Sequence, residues 1–194
     1  MSTLGDSITA GSPLWDPDPA TRAGIDSPDE RSQWQWWAAR RDARLDLRNH
    51  GVYGERTDEI ARRLDTAAEG AAVLVVQGGI NDVVQGRSIE NAAGALAATA
   101  ACGLRLGLGV VLADVLPWNN GDARSAAAIV RLNELVRGEA ERLGMPLLPF
   151  HDTLADPADP HRMAADLTDD GDHPSIEGHR LLGELAFRLP PGFA

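Results

Sequence analysis

Two short stretches at opposite ends of the chain carry residue types that react together. Ser7 lies in Gly5-Asp6-Ser7-Ile8-Thr9, and His173 lies in Asp170-Gly171-Asp172-His173-Pro174. A serine between small and acidic neighbours, just after an apolar residue, fits the tight turn where a strand becomes a helix. There its hydroxyl is exposed and its amide points the same way. A histidine three residues after an aspartate can take that hydroxyl proton while the aspartate holds the imidazole. The set is a nucleophile, a base and an orienter, which is the logic of acyl transfer. Two further stretches offer donors for the charge that such a reaction develops. Asn49-His50-Gly51-Val52-Tyr53-Gly54 follows a short apolar alternation, and Gly78-Gly79-Ile80-Asn81-Asp82 follows the run 71–77. Gly54 lacks a Cβ, so its amide can approach a substrate closely, and Asn81 supplies a side-chain amide.

Each residue alone has a plainer reading. Ser7 before a helix is an N-cap, Asn81-Asp82 a turn, and His173-Pro174 a loop. Five residues of the needed types, in the needed order and at predicted strand ends, outweigh those readings together. The order Ser, Gly, Asn, Asp-x-x-His resembles the SGNH hydrolases, the GDSL family of esterases and lipases, over nearly the whole chain. The resemblance implies Ser7 as nucleophile and Asp170 and His173 as the rest of a triad. It implies an oxyanion hole from the Ser7 and Gly54 amides and the Asn81 side chain. Gly51 is the weaker candidate for the glycine, because Glu55-Arg56-Thr57 opens a helix directly after Gly54, as the family's block does. Asp172 departs from the commonest family form, in which an apolar residue often precedes the histidine. A carboxylate there competes with Asp170 for the ring or favours imidazolium; the Asp-x-x-His spacing assigns Asp170. The reaction implied is hydrolysis of an ester through an acyl-enzyme, with no cofactor and no metal. Short acyl groups are expected, with Trp118 and Trp15 as substrate-binding residues. A carbohydrate O-acetyl esterase, a lysophospholipase or thioesterase, an acyltransferase, and an inactive binding module remain as alternatives.

Composition bounds the rest. At 194 residues the chain has the length of one domain, 1–194. The net charge of −11 disfavours nucleic acid and anionic membrane surfaces as partners. The expected partner is a small-molecule ester; the oligomeric state is left open. All 18 basic residues are Arg. The single cysteine, Cys102, lies in an apolar helix-like run and reads as a small core hydrophobe. The five histidines are scattered, so no metal cluster is expected. His50 reads as a supporting residue near the site, His151 and His161 as loop residues, and His179 as a surface residue of the last helix. The start Met1-Ser2-Thr3-Leu4 has no basic or apolar leader character, so a cytoplasmic location is expected. No apolar run reaches the roughly 20 residues of a membrane span, so no stable membrane insertion is expected. Only three or four residues precede the Ser7 turn. An unusually short first strand is therefore expected, with a few residues missing upstream.

The elements that must position these residues alternate. Residues 12–30, rich in Pro and Asp, read as a loop bordering the site. A helix is predicted over 31–44 with Trp34, Trp37 and Ala38 on its buried face, and a strand over 45–48. A helix over 56–68 turns Ile60 and Leu64 inward. Strands follow at 72–77, 110–115 and 147–150. The helix at 88–106 has Ser88 as N-cap, and the one reaching Leu143 is capped by Asp122. A final helix is predicted over 175–189, capped by Ser175. Repeated β-α units imply a parallel sheet with helices on both faces and right-handed crossovers. The family resemblance implies a flavodoxin-like three-layer α/β/α sandwich with a five-stranded sheet in the order 2-1-3-4-5. Ligands of such sheets bind past the carboxyl ends of the strands, where Ser7, Gly54, Asn81 and Trp118 all fall.

Overall fold

The computed structural model describes residues 1–190 and Phe193; Pro191, Gly192 and Ala194 lie outside the described residues. The elements in chain order are β1 Ser2–Gly5, α1 Ser7–Ala10, α2 Pro19–Arg22, a 3₁₀ turn Glu30–Ser32, α3 Trp34–Arg41, β2 Arg48–Gly51, α4 Thr57–Ala61, α5 Leu64–Ala68, β3 Val73–Val76, α6 Ile80–Val84, α7 Ile89–Arg105, β4 Gly109–Ala113, α8 Ala123–Leu143, β5 Leu147–Leu148, α9 Phe150–Leu154, the hairpin strands β6 Ala155–Asp156 and β7 Asp159–Met163, α10 Ile176–Leu181, and a π-helical turn Leu182–Ala186. The main sheet has five parallel strands in the order β2-β1-β3-β4-β5.

Alternation along the central strands builds the layers. Leu74, Val76, Val110 and Leu112 face a core completed by Ile60, Leu64, Leu96, Leu132 and Val136 of α4, α5, α7 and α8. Val73, Val75, Val111 and Ala113 face a second core with Ile8, Trp34, Ala38, Phe150 and Phe187. Each aliphatic side chain buried this way contributes about 1.5–3 kcal/mol, so burial on both faces outweighs any single sheet rung. Trp34 packs edge-on to Phe150 at 5.5 Å and tilted against Phe187 at 5.3 Å. Trp37 is only half-buried; its indole donates to the Arg31 carbonyl at 2.8 Å and lies edge-on to Trp36.

Several elements differ from their predicted extents. β1 has four residues, as do β2 and β3, so the first strand is no shorter than its neighbours. β2 begins at Arg48 rather than Leu45, because the ladder opens where the Arg48 amide donates to the Met1 carbonyl at 2.9 Å. Leu45 and Leu47 pack instead against the second core. The helix expected over 56–68 is broken into α4 and α5, and Ile60 and Leu64 face inward as expected. The last helix stops at Ala186 rather than Leu189, and Phe150 opens α9 rather than closing β5. The region 12–30 contains α2, capped by Asp18. Ser88, Asp122 and Ser175 each accept a backbone amide of the helix that they cap. His151 lies on α9 and His161 on β7. Cys102 is half-buried. His179 is not a surface residue: it is 0% exposed. Gly178, His179, Leu182 and Ala186 follow helical spacing and form the buried stripe of the last helix.

The two glycines of the β2 block have different tasks. A Cβ on Gly51 would lie 2.0 Å from the Ala10 amide nitrogen, so Gly51 is required where β2 passes under α1. Gly54 has φ +78° and open space around its missing Cβ. Gly51→Ala is expected to cost at least the roughly 1–3 kcal/mol of an overpacked core, because the obstacle is backbone. Gly54→Ala meets only the left-handed penalty of about 1–2 kcal/mol. Thermal unfolding should rank Gly51→Ala below Gly54→Ala, and the opposite ranking would exclude this division.

Asp114, one residue past β4, is buried and accepts the His151 amide at 2.7 Å. Burial pushes its carboxyl up to about 7, with the His151 amide opposing. The folded state therefore holds a proton that the unfolded chain releases near pH 4. Stability from this group is full below that value and is lost as pH rises through about 7. Asp114→Asn retains the acceptor and removes the titration. Denaturant unfolding should show the variant gaining on the parent chain between pH 5 and pH 8; a constant difference would rule this out.

Candidate active site

The β1 carboxyl end turns into α1 within one residue. Gly5 permits it: a Cβ there would meet Thr9 Oγ1 at 2.3 Å and the Gln77 carbonyl at 2.8 Å. Asp6, not Ser7, is the N-cap, accepting the Ile8 amide at 2.9 Å. Its other oxygen accepts from Gln77 Nε2 at 3.2 Å, and Gln77 Oε1 accepts from the Thr9 hydroxyl at 2.8 Å. Burial raises the Asp6 carboxyl to about 6 against the opposing pull of these hydrogen bonds. Ser7 is thus the first residue of α1, where no helical carbonyl faces its amide.

His173 reaches Ser7 from the loop before α10. Its Nε2 lies 3.1 Å from Ser7 Oγ, and its Nδ1 lies 2.8 Å from Asp170 Oδ2. Asp170 Oδ1 accepts the amides of Asp172 at 2.8 Å and His173 at 2.7 Å. Burial alone would raise the Asp170 carboxyl; the His173 ring and these two amides outweigh it and hold the carboxyl below its usual value. The Thr168 hydroxyl closes the loop, donating to the His173 carbonyl at 2.7 Å and accepting the Gly171 amide at 2.9 Å. His179 lies beneath. Burial, with the nearby His173 charge, lowers it to about 3, so it stays neutral.

Asp172 does not compete for the ring. Its Oδ1 accepts from Trp118 Nε1 at 2.6 Å and from Asn120 Nδ2 at 2.7 Å. The Asn119 amide also donates to the Gly171 carbonyl at 3.0 Å, and Asn120 Nδ2 to the Asp170 carbonyl at 2.9 Å. The segment after β4 therefore clasps the Asp170–His173 loop. Trp118 is half-buried, packed on the first core with its indole tied to Asp172. Trp15 lies under the Arg22 guanidinium at 4.4 Å.

The donor candidates lie on the flanking strands. The Gly51 amide is taken by Asn49 Oδ1 at 2.8 Å, whereas the Gly54 amide donates to no group among the described residues. Asn81, in the first turn of α6, gives one amide hydrogen to the Glu55 carbonyl at 2.9 Å, which leaves the second available. Buried Asp82 fixes α6 by accepting the Thr57 amide at 2.9 Å and the Thr57 hydroxyl at 3.1 Å. Tyr53 is 65% exposed, with its ring centre 6.1 Å from that of His173. Tyr53, Asp82 and the clasp residues Asn119 and Asn120 were not singled out from sequence. The Asn-Asn-Gly turn after a buried strand is the local signal for Asn119 and Asn120. Among the described residues no group of three or more His, Cys, Asp or Glu is arranged to hold a metal, and no helix is long and apolar enough to cross a membrane.

A family model described as the GDSL-like lipase/acylhydrolase family matches residues 3–181. Solved structures share the fold. A G-D-S-L family protein from Desulfitobacterium hafniense has a TM-score of 0.78 at 20% identity, with 94% of each chain covered. The psychrotrophic esterase EstA from Pseudoalteromonas sp., inhibited by monoethylphosphonate, has a TM-score of 0.68 at 18% identity, covering 94% of this chain and 91% of that one. LAE5, a hydrolase from the metagenome of Lake Arreo, has a TM-score of 0.72 at 23% identity, covering 94% and 90%. No curated protein matches.

The two aspartates of the loop separate cleanly in a test. Asp170→Asn should lower kcat for a simple ester by orders of magnitude, because the ring loses the partner that sets its tautomer. Asp172→Asn keeps an acceptor for Trp118 and Asn120 and should change kcat by less than about tenfold. The reverse ranking would move the orienting role to Asp172.

Proposed function

Because the chain belongs to the GDSL-like lipase/acylhydrolase family, we propose that it is a serine carboxyl ester hydrolase acting on short-chain esters through an acyl-enzyme. The observation that carries this reading is the continuous path from Ser7 Oγ through the His173 ring to Asp170, with contacts of 3.1 and 2.8 Å. In this reading Ser7 Oγ attacks the ester carbonyl as His173 Nε2 takes its proton. The developing oxyanion accepts hydrogen bonds from the Ser7 and Gly54 amides and from Asn81 Nδ2. His173 returns the proton to the leaving alkoxide, which departs as the alcohol. A water then attacks the acyl-Ser7 carbonyl, giving its proton to His173, and His173 passes that proton to Ser7 Oγ as the acid leaves.

The short-chain reading is supported by the lining of the cavity beside Gly54. It has a volume of about 380 Å³ and is bordered by Glu55, Glu59, Arg62 and Arg63 as well as Tyr53. Four charged walls suit a small or polar group better than a long alkyl chain. One observation favours a second reading, a carbohydrate O-acetyl esterase: the exposed Tyr53 ring beside His173 offers a face for a sugar.

Hydrolysis of p-nitrophenyl esters from acetate to palmitate tests the proposal. Acetyl to butyryl esters should be preferred, and faster cleavage of the palmitoyl ester would reject the short-chain reading. Ser7→Ala should lose more than about 10³-fold in kcat with the fold intact. Asn81→Ala should lose about 10²–10³-fold with KM little changed. An active Ser7→Ala protein would reject the mechanism.

A further inference from the structure

Arg63 binds more of the site than any other cation in the chain's hydrogen-bond network, and the mechanism above does not use it. The helix expected over 56–68 breaks just before α5, where Arg63 has φ −97° and ψ 5°. Its guanidinium donates to the His50 carbonyl at 2.6 Å and to the Gly5 carbonyl at 2.9 Å. It also grips the Glu55 carboxylate, with Nε 3.0 and 2.8 Å from the two oxygens and Nη2 on Oε2 as well. Gly5 is the last residue of β1, directly before the Asp6-Ser7 turn, and its carbonyl also accepts the Val52 amide at 3.0 Å. Glu55 follows Gly54, and its own carbonyl accepts Asn81 Nδ2.

We propose that Arg63 and Glu55 form a positioning pair that sets both oxyanion donors relative to Ser7. This rests on the ester hydrolase reading above. Glu55 is held at its carboxylate by Arg63 and at its carbonyl by Asn81, so a shift of Glu55 moves the Gly54 amide and the Asn81 amide together. Arg63 refers that position to the Gly5 carbonyl and hence to the nucleophile turn. Packing does not supply the same restraint, because the cavity of about 380 Å³ opens against Gly54, Glu55 and Arg63. Both charged side chains are mostly covered, 26% and 18% exposed, so the pair is fixed rather than splayed into solvent. A lysine has a point charge and cannot serve the three acceptors in this planar arrangement.

The experiment compares wild type, Ser7→Ala, Glu55→Gln, Arg63→Lys and Arg63→Gln on p-nitrophenyl acetate. Active sites are counted by a stoichiometric p-nitrophenyl phosphonate. The expected result is a kcat per active site lowered about 10–100-fold in Glu55→Gln and in both Arg63 variants, with KM within about threefold. Arg63→Lys should recover melting temperature relative to Arg63→Gln without recovering kcat. Glu55→Gln combined with Asn81→Ala should lose less than the product of the two single losses, because Glu55 acts in part through Asn81 on the same oxyanion. A purely structural role predicts lower melting temperatures with unchanged kcat per active site, and a Glu55 effect independent of Asn81 predicts single losses that multiply in the double variant; either would overturn the proposal. Glu55→Gln is nearly isosteric and keeps an acceptor, so the comparison survives if Arg63→Gln fails to fold. Wild type without Ser7-dependent hydrolysis would reject the ester hydrolase reading, whereas active wild type with undiminished variants would reject the positioning pair alone.

Discussion

The carboxylate of Asp6, buried at the end of β1 without an ionic partner among the described residues, is the interaction on which the site hangs. Burial raises its carboxyl to about 6, against the opposing pull of the Ile8 and Gln77 hydrogen bonds. The chain must leave the sheet and enter a helix at once, so the first amides of α1 need an acceptor. Asp6 supplies it for Ile8, and Gln77, itself steadied by Thr9, supplies the return contact from the neighbouring strand. Below, Gln35 donates to the Thr3 hydroxyl at 3.0 Å and to the Thr9 carbonyl at 2.9 Å, joining α3 to the same turn. A buried polar network of this kind rigidifies only when its members are satisfied together. The position of Ser7 therefore depends on two strands and two helices rather than on its own neighbours alone.

The rest of the site repeats the solution with backbone carbonyls. Carbonyl groups at the carboxyl edge of the sheet and in the loops beside it take side-chain and loop donors. Arg63 answers for Gly5 and His50, and Asn81 for Glu55. Asn119 and Asn120 answer for Gly171 and Asp170. Each donor also joins two loops, so satisfying the carbonyls and assembling the site are one act. An all-arginine basic complement suits this, since a guanidinium can divide its donors among several acceptors.

The legible part of this molecule was the part set by local rules. Continuous apolar runs in 72–77 and 110–115 mark the central strands, and the cap residues Ser88, Asp122 and Ser175 mark helix starts, because these signals act within a few residues. The reacting types were legible for the same reason: Gly5-Asp6-Ser7 and Asp170-x-x-His173 are each local turns. What escaped was decided across the fold. Where β2 starts depends on pairing with β1, not on the Leu45-Leu47 alternation. The break between α4 and α5 carries no Pro or Gly; the acceptors that draw Arg63 out lie on β1, on β2 and at Glu55. His179 reads as a surface residue from its polar type, but its spacing with Leu182 and Ala186 puts it on the buried stripe of the last helix.

Asp172 shows how the fold assigns roles among chemically equal groups. Two carboxylates lie within three residues of His173, and either could hold the ring on sequence grounds. Geometry separates them by their donors. Asp170 has one oxygen saturated by two amides of its own loop, which leaves the other oxygen aimed at Nδ1. Asp172 is drawn off by Trp118 and Asn120, donors supplied by the loop after β4. Its charge is then spent on joining two loops rather than on the imidazole. Trp118, expected from sequence to line the pocket, thus ties Asp172 to the loop after β4 through its indole hydrogen bond, while Asp170 faces the ring.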